Sequence, residues 1–205
     1  MVNTAALVLF GVWFVVIFVV RSWVQKRETG DSGIRPGAFA ADASTLERVA
    51  YVLLIVAFAG AVAAPIAAMA GLEPLWDNSA MRWVGMAMAV TGIGLTYAAQ
   101  VGMGTEWRIG IDRTEVTGLV TTGVFGLVRN PIFTAMIFTA VGFAVMVPNV
   151  IAVIAVVCLV VAIEMQVRFV EEPHLRRLHG TGYEQYAAEV GRFVPLIGRA
   201  AGARR

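Results

Sequence analysis

The sequence predicts an all-α integral membrane protein with five transmembrane helices, its N-terminus outside, its C-terminus inside, and a helical C-terminal tail on the cytoplasmic face. Three observations predict it. The chain has 205 residues, of which 59% are apolar and 15% charged, against about 25% charged in a soluble domain. The apolar residues cluster into long uncharged runs. The basic residues fall almost wholly in three polar stretches between those runs. At this length one domain is expected, residues 1–205. Within it, 1–105 reads as a three-helix scaffold and 106–197 as the part that carries the chemistry.

The first uncharged run is Met1 to Val20, and a span needs about 20 apolar residues. Arg21, Lys26 and Arg27 follow it rather than precede it, which argues for a retained helix over 3–23 and against a cleaved signal. Residues 25–46 are rich in Gly, Pro, Ser and Asp and read as a polar loop. Ser44 or Thr45 suits an N-cap, with Glu47 in the first turn. The run Val49 to Leu72 contains Pro65, which is expected to kink its helix. Trp83 to Thr105 is a third run. Its Gly85/Ala89 and Gly94/Ala98 spacings fit close helix packing, and Gln100 near its end is a polar residue suited to facing a pocket.

Residues 106–130 are a polar connector. Pro131 to Ile163 is then 33 residues without a charge. A straight helix of that length is roughly 50 Å, too long for a core of about 30 Å. Pro148-Asn149 supplies a turn, so the run reads as a hairpin of two spans, 131–147 and 149–167. Only Arg82 lies near the loop at 71–82, and the hairpin turn holds no basic residue. The other fifteen lie in 21–48, 106–130 and the C-terminal tail. The positive-inside bias puts those three stretches in the cytoplasm, which five spans also require.

The densest chemistry is Glu164 to Pro195. On a continued helix, Glu164, Arg168, Glu171 and Glu172 share one face. Pro173 suits the first turn of a new helix, Gly180 ends it, and Thr181 with Glu184 forms a capping-box pattern for the next. There Tyr183, Tyr186 and Val190 share a face. The terminal stretch 197–205 reads as disordered and able to touch anionic lipid. An ordinary solvated surface explains any one of these charges. As a set, beside the membrane boundary, they point to a site. His174 and His179 are five apart, a poor spacing for one metal, and the single Cys158 lies in an apolar run, so neither zinc nor an internal disulfide is expected. Nucleophile-elbow, Walker, H-E-x-x-H and G-x-G-x-x-G patterns do not occur.

Two stretches carry a resemblance. Thr122-Gly123-x-Phe125-x-x-x-Arg129-Asn130-Pro131 resembles a T-G-x-[YF]-x-x-x-R-[HN]-P motif. Glu171-Glu172-x-x-Leu175, Gly180-x-x-Tyr183-x-x-Tyr186 and Arg192-Phe193-x-Pro195 resemble its partner motif. Both are similar to those of the integral-membrane isoprenylcysteine carboxyl methyltransferases and related phospholipid methyltransferases, over roughly residues 105–197. Asn130 stands where many members carry His, Phe133 and Ala135 where they carry Tyr and Gly, and Val124 where Pro is common.

The resemblance implies methyl transfer from S-adenosyl-L-methionine to a lipophilic acceptor, isoprenoid-like or lipid, with the tail covering the cofactor site. Glu171 or Glu172 suits the donor's ammonium, and an Arg or backbone N–H its carboxylate. Phe125, Phe133, Tyr183 and Tyr186 suit the adenine. Arg129, Asn130 and Pro131 complete the implied cofactor-binding set. Arg168 or Arg192 suits an acidic acceptor, while a Glu such as Glu171 suits the proton of a neutral one. The expected partners are a lipophilic substrate and membrane lipid, with no metal and no nucleic acid. The Arg-rich, Ala/Val/Gly-rich composition points to a bacterial inner membrane. A steroid-reductase-like enzyme using NADPH, or a non-catalytic membrane subunit, are the competing readings.

Overall fold

A bilayer core offers no water to backbone N–H and C=O groups, so each uncharged run must satisfy its own, and a helix does so. The computed structural model describes residues 1–35, 37, 43–110, 112, 113 and 115–200. The runs form Val2–Thr29 (α1), Thr45–Met69 (α2), Ser79–Met103 (α3), Pro131–Met146 (α4) and Val150–His179 (α5), followed by a short helix, Thr181–Glu189 (α6). α1, α2, α5 and α3 with its extension to Glu106 are long and apolar enough to cross a membrane. α4 is apolar but has 16 residues, roughly 24 Å of helix. Among the described residues there are isolated β-bridges but no strands. The chain is an all-helical integral membrane protein.

α1 runs past its expected end, to Thr29, and stops at Gly30 in the left-handed region at φ 80°. Ser44 caps α2: its hydroxyl accepts from the Glu47 amide at 3.2 Å, and the Glu47 carboxylate accepts from the Ser44 amide at 2.5 Å. Pro65 sits inside α2 without ending it. The expected turn forms at Pro148-Asn149. Asn149 caps α5 through Oδ1, which accepts from Ala152 N at 3.0 Å, and its Nδ2 donates to Ala64 O at 2.8 Å. Leu75 N donates to Pro148 O at 2.7 Å, so the α2–α3 loop and the hairpin turn lie at one end of the bundle.

α3 lies along α4, and α2 along α5. Small residues set the first contact. Gly85, Ala89 and Gly92 are buried against Gly142, Met146 and Thr139 of α4, and a Cβ added at Gly92 meets Thr139. Gly94 and Ala98 are exposed, and Gly94 has open space around it. The expected packing seam is therefore the Gly85/Ala89 row alone, continued by Gly92 one turn on.

Four expectations for the tail are corrected. The helix does not restart at Pro173. α5 passes through a π-helical stretch, Gln166–Glu171, and continues to His179. The wider turn changes which amide serves each carbonyl, so a residue without an N–H is tolerated there. The same turn shifts the helical register. Glu164 and Arg168 pair with each other on the outer face, while Glu172 is buried at 3% exposure. The four residues thus do not share one face. Gly180, at φ +51°, caps α6 with no side-chain cap bond, so the Thr181–Glu184 box does not form. The expected disorder of 197–205 fails for its first part: Ala200 N donates to Ala187 O at 2.8 Å. Residues 201–205 lie outside the described residues.

Gly92→Leu is expected to destabilise the protein by about 1–3 kcal/mol through overpacking at Thr139, whereas Gly94→Leu leaves stability within about 0.5 kcal/mol. Thermal unfolding of both variants in detergent checks this, and equal melting temperatures would remove the assigned seam.

Candidate active site

Where the five long helices meet the connector and the tail, they line a cavity of about 470 Å³. That is within the range of about 300–1,000 Å³ usual for small-molecule sites. All nine residues expected to hold a cofactor line it: Phe125, Arg129, Asn130, Pro131, Phe133, Glu171, Glu172, Tyr183 and Tyr186. They come from three places in the chain, and one ionic knot brings them together.

The knot is Glu172. Its side chain is 4% exposed and that of Arg129 2%. Arg129 Nη2 donates to Glu172 Oε1 at 2.9 Å, and Arg192 binds both carboxylate oxygens, Nε to Oε1 at 2.7 Å and Nη2 to Oε2 at 3.1 Å. Arg176 adds a bond to Oε2 at 3.1 Å. The carboxylate holds the Arg192 guanidinium above its ordinary pKa. Arg129 Nη1 also donates to Ala187 O at 2.9 Å and Val190 O at 2.5 Å. These are carbonyls at the C-terminal end of α6, where a cation is favourable. Backbone bonds finish the seam: Arg129 N to Gly191 O at 2.8 Å and Asn130 N to Arg192 O at 3.1 Å. Asn130 Nδ2 donates to the same carbonyl at 3.2 Å, and Thr134 Oγ1 to Phe193 O at 2.9 Å.

The knot sorts the expected residues. Glu172 is committed to three arginines. Arg192 stands behind it and does not line the cavity. Arg168 is half exposed, pairs with Glu164 on the outer face, and is not brought to the cavity. Glu171 lines the cavity and pairs with no cation among the described residues; Gln166 hydrogen-bonds to it. Arg129 keeps one donor in reserve, a buried Nε–H with no partner among the described residues. Tyr186 O–H donates to Phe125 O at 2.6 Å and ties α6 to the Gly123–Gly126 turn. Burial pushes the Tyr183 and Tyr186 phenols up to about 12, so both stay protonated at neutral pH. An unpaired carboxylate, a spare guanidinium N–H and four aromatic rings suit a ligand with a zwitterionic head and a flat aromatic part.

One wall has no counterpart in the motifs or the apolar runs. The segment after α1 pairs with the connector: Arg35 N donates to Ile109 O at 2.9 Å and Ile109 N to Gly33 O at 2.8 Å. Gly33 and Gly110 take positive φ, 74° and 79°, and a Cβ on either would sit 3.1 Å from the opposite segment. Arg35 grips Asp31 and Glu115, with Nε 2.6 Å from Glu115 Oε2 and Nη2 2.6 Å from Asp31 Oδ2, and Arg108 Nε reaches Glu115 Oε1 at 3.0 Å. Hydrogen bonding to Arg35 lowers both carboxylates, Asp31 to about 2. Arg21 anchors the base of this wall, donating to Gly104 O at 2.5 Å and lying 4.9 Å over the ring of the buried Trp107. Ile34, Arg35, Trp107, Arg108 and Glu115 all line the cavity, as does the buried His174. The pairing joins two polar loops about 75 residues apart, and neither carries a local pattern that names the other. Among the described residues no group of three His, Cys, Asp or Glu side chains is placed to hold a metal.

This arrangement has known relatives. The pattern of the phospholipid methyltransferase family matches residues 80–182, just over half of the chain. The chain belongs to that family. The match takes in α3, the connector, the hairpin and the Glu171-Glu172 pair, and stops before Tyr183. Protein-S-isoprenylcysteine O-methyltransferase A of Arabidopsis thaliana is 31% identical over 132 residues, 62% of this chain and 64% of the relative. A probable protein-S-isoprenylcysteine O-methyltransferase of Oryza sativa subsp. indica is 30% identical over 128 residues, 62% of this chain and 65% of the relative. The alignment thus spans a little under two thirds of the length of these relatives.

Breaking a buried ion pair from one side costs about 3–5 kcal/mol. Glu172→Gln is therefore expected to lower the melting temperature by on the order of 10 °C, and Arg168→Ala to leave it nearly unchanged; differential scanning fluorimetry of the two variants compares them. The Asp31/Glu115 clasp makes a pH prediction. Both carboxylates are lower in the folded state, so their stabilisation is complete above their ordinary values, about 4. It is lost as pH falls below that, through the Glu115 value and then Asp31's near 2. Hydrogen exchange at the Arg35 and Ile109 amides, corrected for intrinsic rate, is expected to speed up between pH 6 and pH 3, while Asn149 at the far end holds its protection.

Proposed function

We propose that this protein transfers a methyl group from S-adenosyl-L-methionine to a lipophilic acceptor. The observation that carries the reading is the cavity itself, in a member of the phospholipid methyltransferase family. It gathers an unpaired carboxylate, an unpartnered buried guanidinium N–H and, among its aromatic rings, those of Phe125, Phe133, Tyr183 and Tyr186. The donor set fits the cofactor. Glu171 holds the ammonium, and Arg129 Nε donates to the carboxylate. Phe125, Phe133, Tyr183 and Tyr186 wall the adenine, with both phenols protonated. When bound, S-adenosyl-L-methionine supplies an electrophilic methyl on a sulfonium that departs as a neutral thioether. The protein's part is therefore to orient its ligands and exclude water. Glu172 and Arg192 act through the knot as positioning residues, and Asn130 and Pro131 set the corner on which it rests. Arg168 takes no part in the cavity in this reading.

We read the chain as one domain with five spans, N-terminus outside, in a bacterial inner membrane, with the cavity opening to the cytoplasm. Two features support this. The α2–α3 loop and the hairpin turn meet at one end of the bundle, and the basic residues gather at the other. The isoprenylcysteine in the relatives' names makes a prenyl thioether acid the first acceptor class to test.

Glu171→Ala is expected to weaken binding of S-adenosylhomocysteine, the demethylated donor product, at least tenfold by calorimetry, with the melting temperature preserved; this is the affinity lost with one charge-assisted contact of about 1.5–3 kcal/mol. Incubating the wild-type protein with methyl-labelled S-adenosyl-L-methionine and lipid extract, then finding the labelled product by mass spectrometry, tests the activity. Folded protein that binds neither donor nor product would end the reading.

A further inference from the structure

The first 79 residues lie outside the family match, yet α1 and α2 build the apolar end of the cavity with Ile17, Phe18, Leu54 and Phe58. A buried carboxamide stands beside them. Gln100, on α3, is 2% exposed and belongs to the cavity lining. Its Nε2 donates to Ile17 O at 3.1 Å. Ile17 lies in a π-helical stretch, Val15–Val20, where the extra residue in the turn displaces the backbone ladder and leaves a carbonyl open to an outside donor. This bond commits the amide end of the side chain. The other end, Oε1, is buried and has no hydrogen-bond partner among the described residues. A buried carbonyl left unpaired is unfavourable, the more so at a depth where lipid replaces water. A smaller, almost wholly hydrocarbon-lined cavity of about 50 Å³ shares Phe58 and Met136 with the first and extends past Phe10 and Trp13. It prolongs the apolar end for a chain.

We propose that this end is the acceptor subsite, and that Gln100 Oε1 accepts a hydrogen bond from an N–H or O–H on the lipophilic acceptor. Gln100 then selects lipids that carry such a donor close to an apolar tail over equally apolar ones that lack it. The assignment rests on the methyltransferase reading above and adds the group that reads the acceptor. A site that presents a buried acceptor rejects a ligand without the matching donor, because the carbonyl then stays unpaired. The donor-binding groups come from residues 125–186, whereas Gln100 and its apolar neighbours come from α1, α2 and α3. This separation assigns Gln100 to the acceptor rather than to the methyl donor.

The test uses the full chain in lipid nanodiscs and two probes, N-acetyl-S-farnesylcysteine and its N-methylated amide counterpart. They share tail and carboxylate, and one carries a methyl group where the other carries the amide N–H. Binding is measured without turnover. Wild-type protein is expected to bind the N–H probe about fivefold or more tightly than its counterpart, the effect of one hydrogen bond. Gln100→Leu abolishes the preference, Gln100→Glu retains it, and S-adenosylhomocysteine binds all three alike. If Gln100→Leu does not fold, Gln100→Met, which also removes the carbonyl, carries the comparison. No preference in the wild type, an unchanged preference in the Leu or Met variant, or a loss confined to S-adenosylhomocysteine affinity would each overturn the assignment. A separate methylation assay judges the reading beneath it. Binding with the preference but without methyl gain sinks the methyltransferase reading and keeps the subsite. Methylation of both probes with equal affinity does the reverse.

Discussion

The site depends on one buried carboxylate. Glu172 alone would be too costly to bury as an anion, and Arg129 and Arg192 alone too costly as cations. Together they form a compact group whose donors and acceptors are nearly all satisfied. The physical consequence is geometric more than energetic. Such pairs often stabilise a protein no more than hydrocarbon of the same shape would, but they tolerate few alternative arrangements. Here the arrangement joins three segments far apart in sequence: the corner before α4, the end of α5 and the strand-like stretch after α6. Glu171 is the neighbour of Glu172 in the chain, so fixing the second carboxylate places the first against the cavity. The T-G…R-N-P and E-E…Y…Y…R-F-P motifs are two halves of this contact.

Much of the architecture was legible in the residues. Uncharged runs gave the helices, because in lipid a run of that length has no other stable form. Pro148-Asn149 gave the hairpin, because a straight helix would overshoot the bilayer and Asn149 is a good N-cap. The cavity-lining set was legible through resemblance. The errors share a cause. The Glu164/Arg168/Glu171/Glu172 face assumed a regular 3.6-residue period, and the π-helical stretch at Gln166–Glu171 broke it; no residue type announces such a turn. Gly94/Ala98 has the same spacing as Gly85/Ala89, and only the position of α4 decides which row is used. The roles that the resemblance implies for Arg192 and Glu172 carry no hint that the two bind each other. Their mutual pairing is a long-range fact that spacing does not encode.

The polar segments after α1 and after α3 change how the first half of the chain is understood. Their sequences read as connectors, yet backbone pairing at Ile34 and Ile109 and the Arg35–Asp31–Glu115–Arg108 clasp make them a wall of the cavity. α1 and α2 are likewise more than a scaffold, since their side chains enclose the apolar end. The chamber thus has two kinds of lining. Charged and aromatic groups from the second half line one part, and the Ile17, Phe18, Leu54 and Phe58 side chains from the first half line the other. A water-soluble methyl donor and a lipid acceptor would each meet the lining that suits it.

The most direct measurement is hydrogen exchange across the chain, in nanodiscs, with and without S-adenosylhomocysteine. If the knot closes a chamber that takes the donor, segments 119–133 and 171–187 gain protection together, while the hairpin turn at 147–149 is unchanged. Protection confined to one of the two segments, or none in either at saturating ligand, would contradict the account.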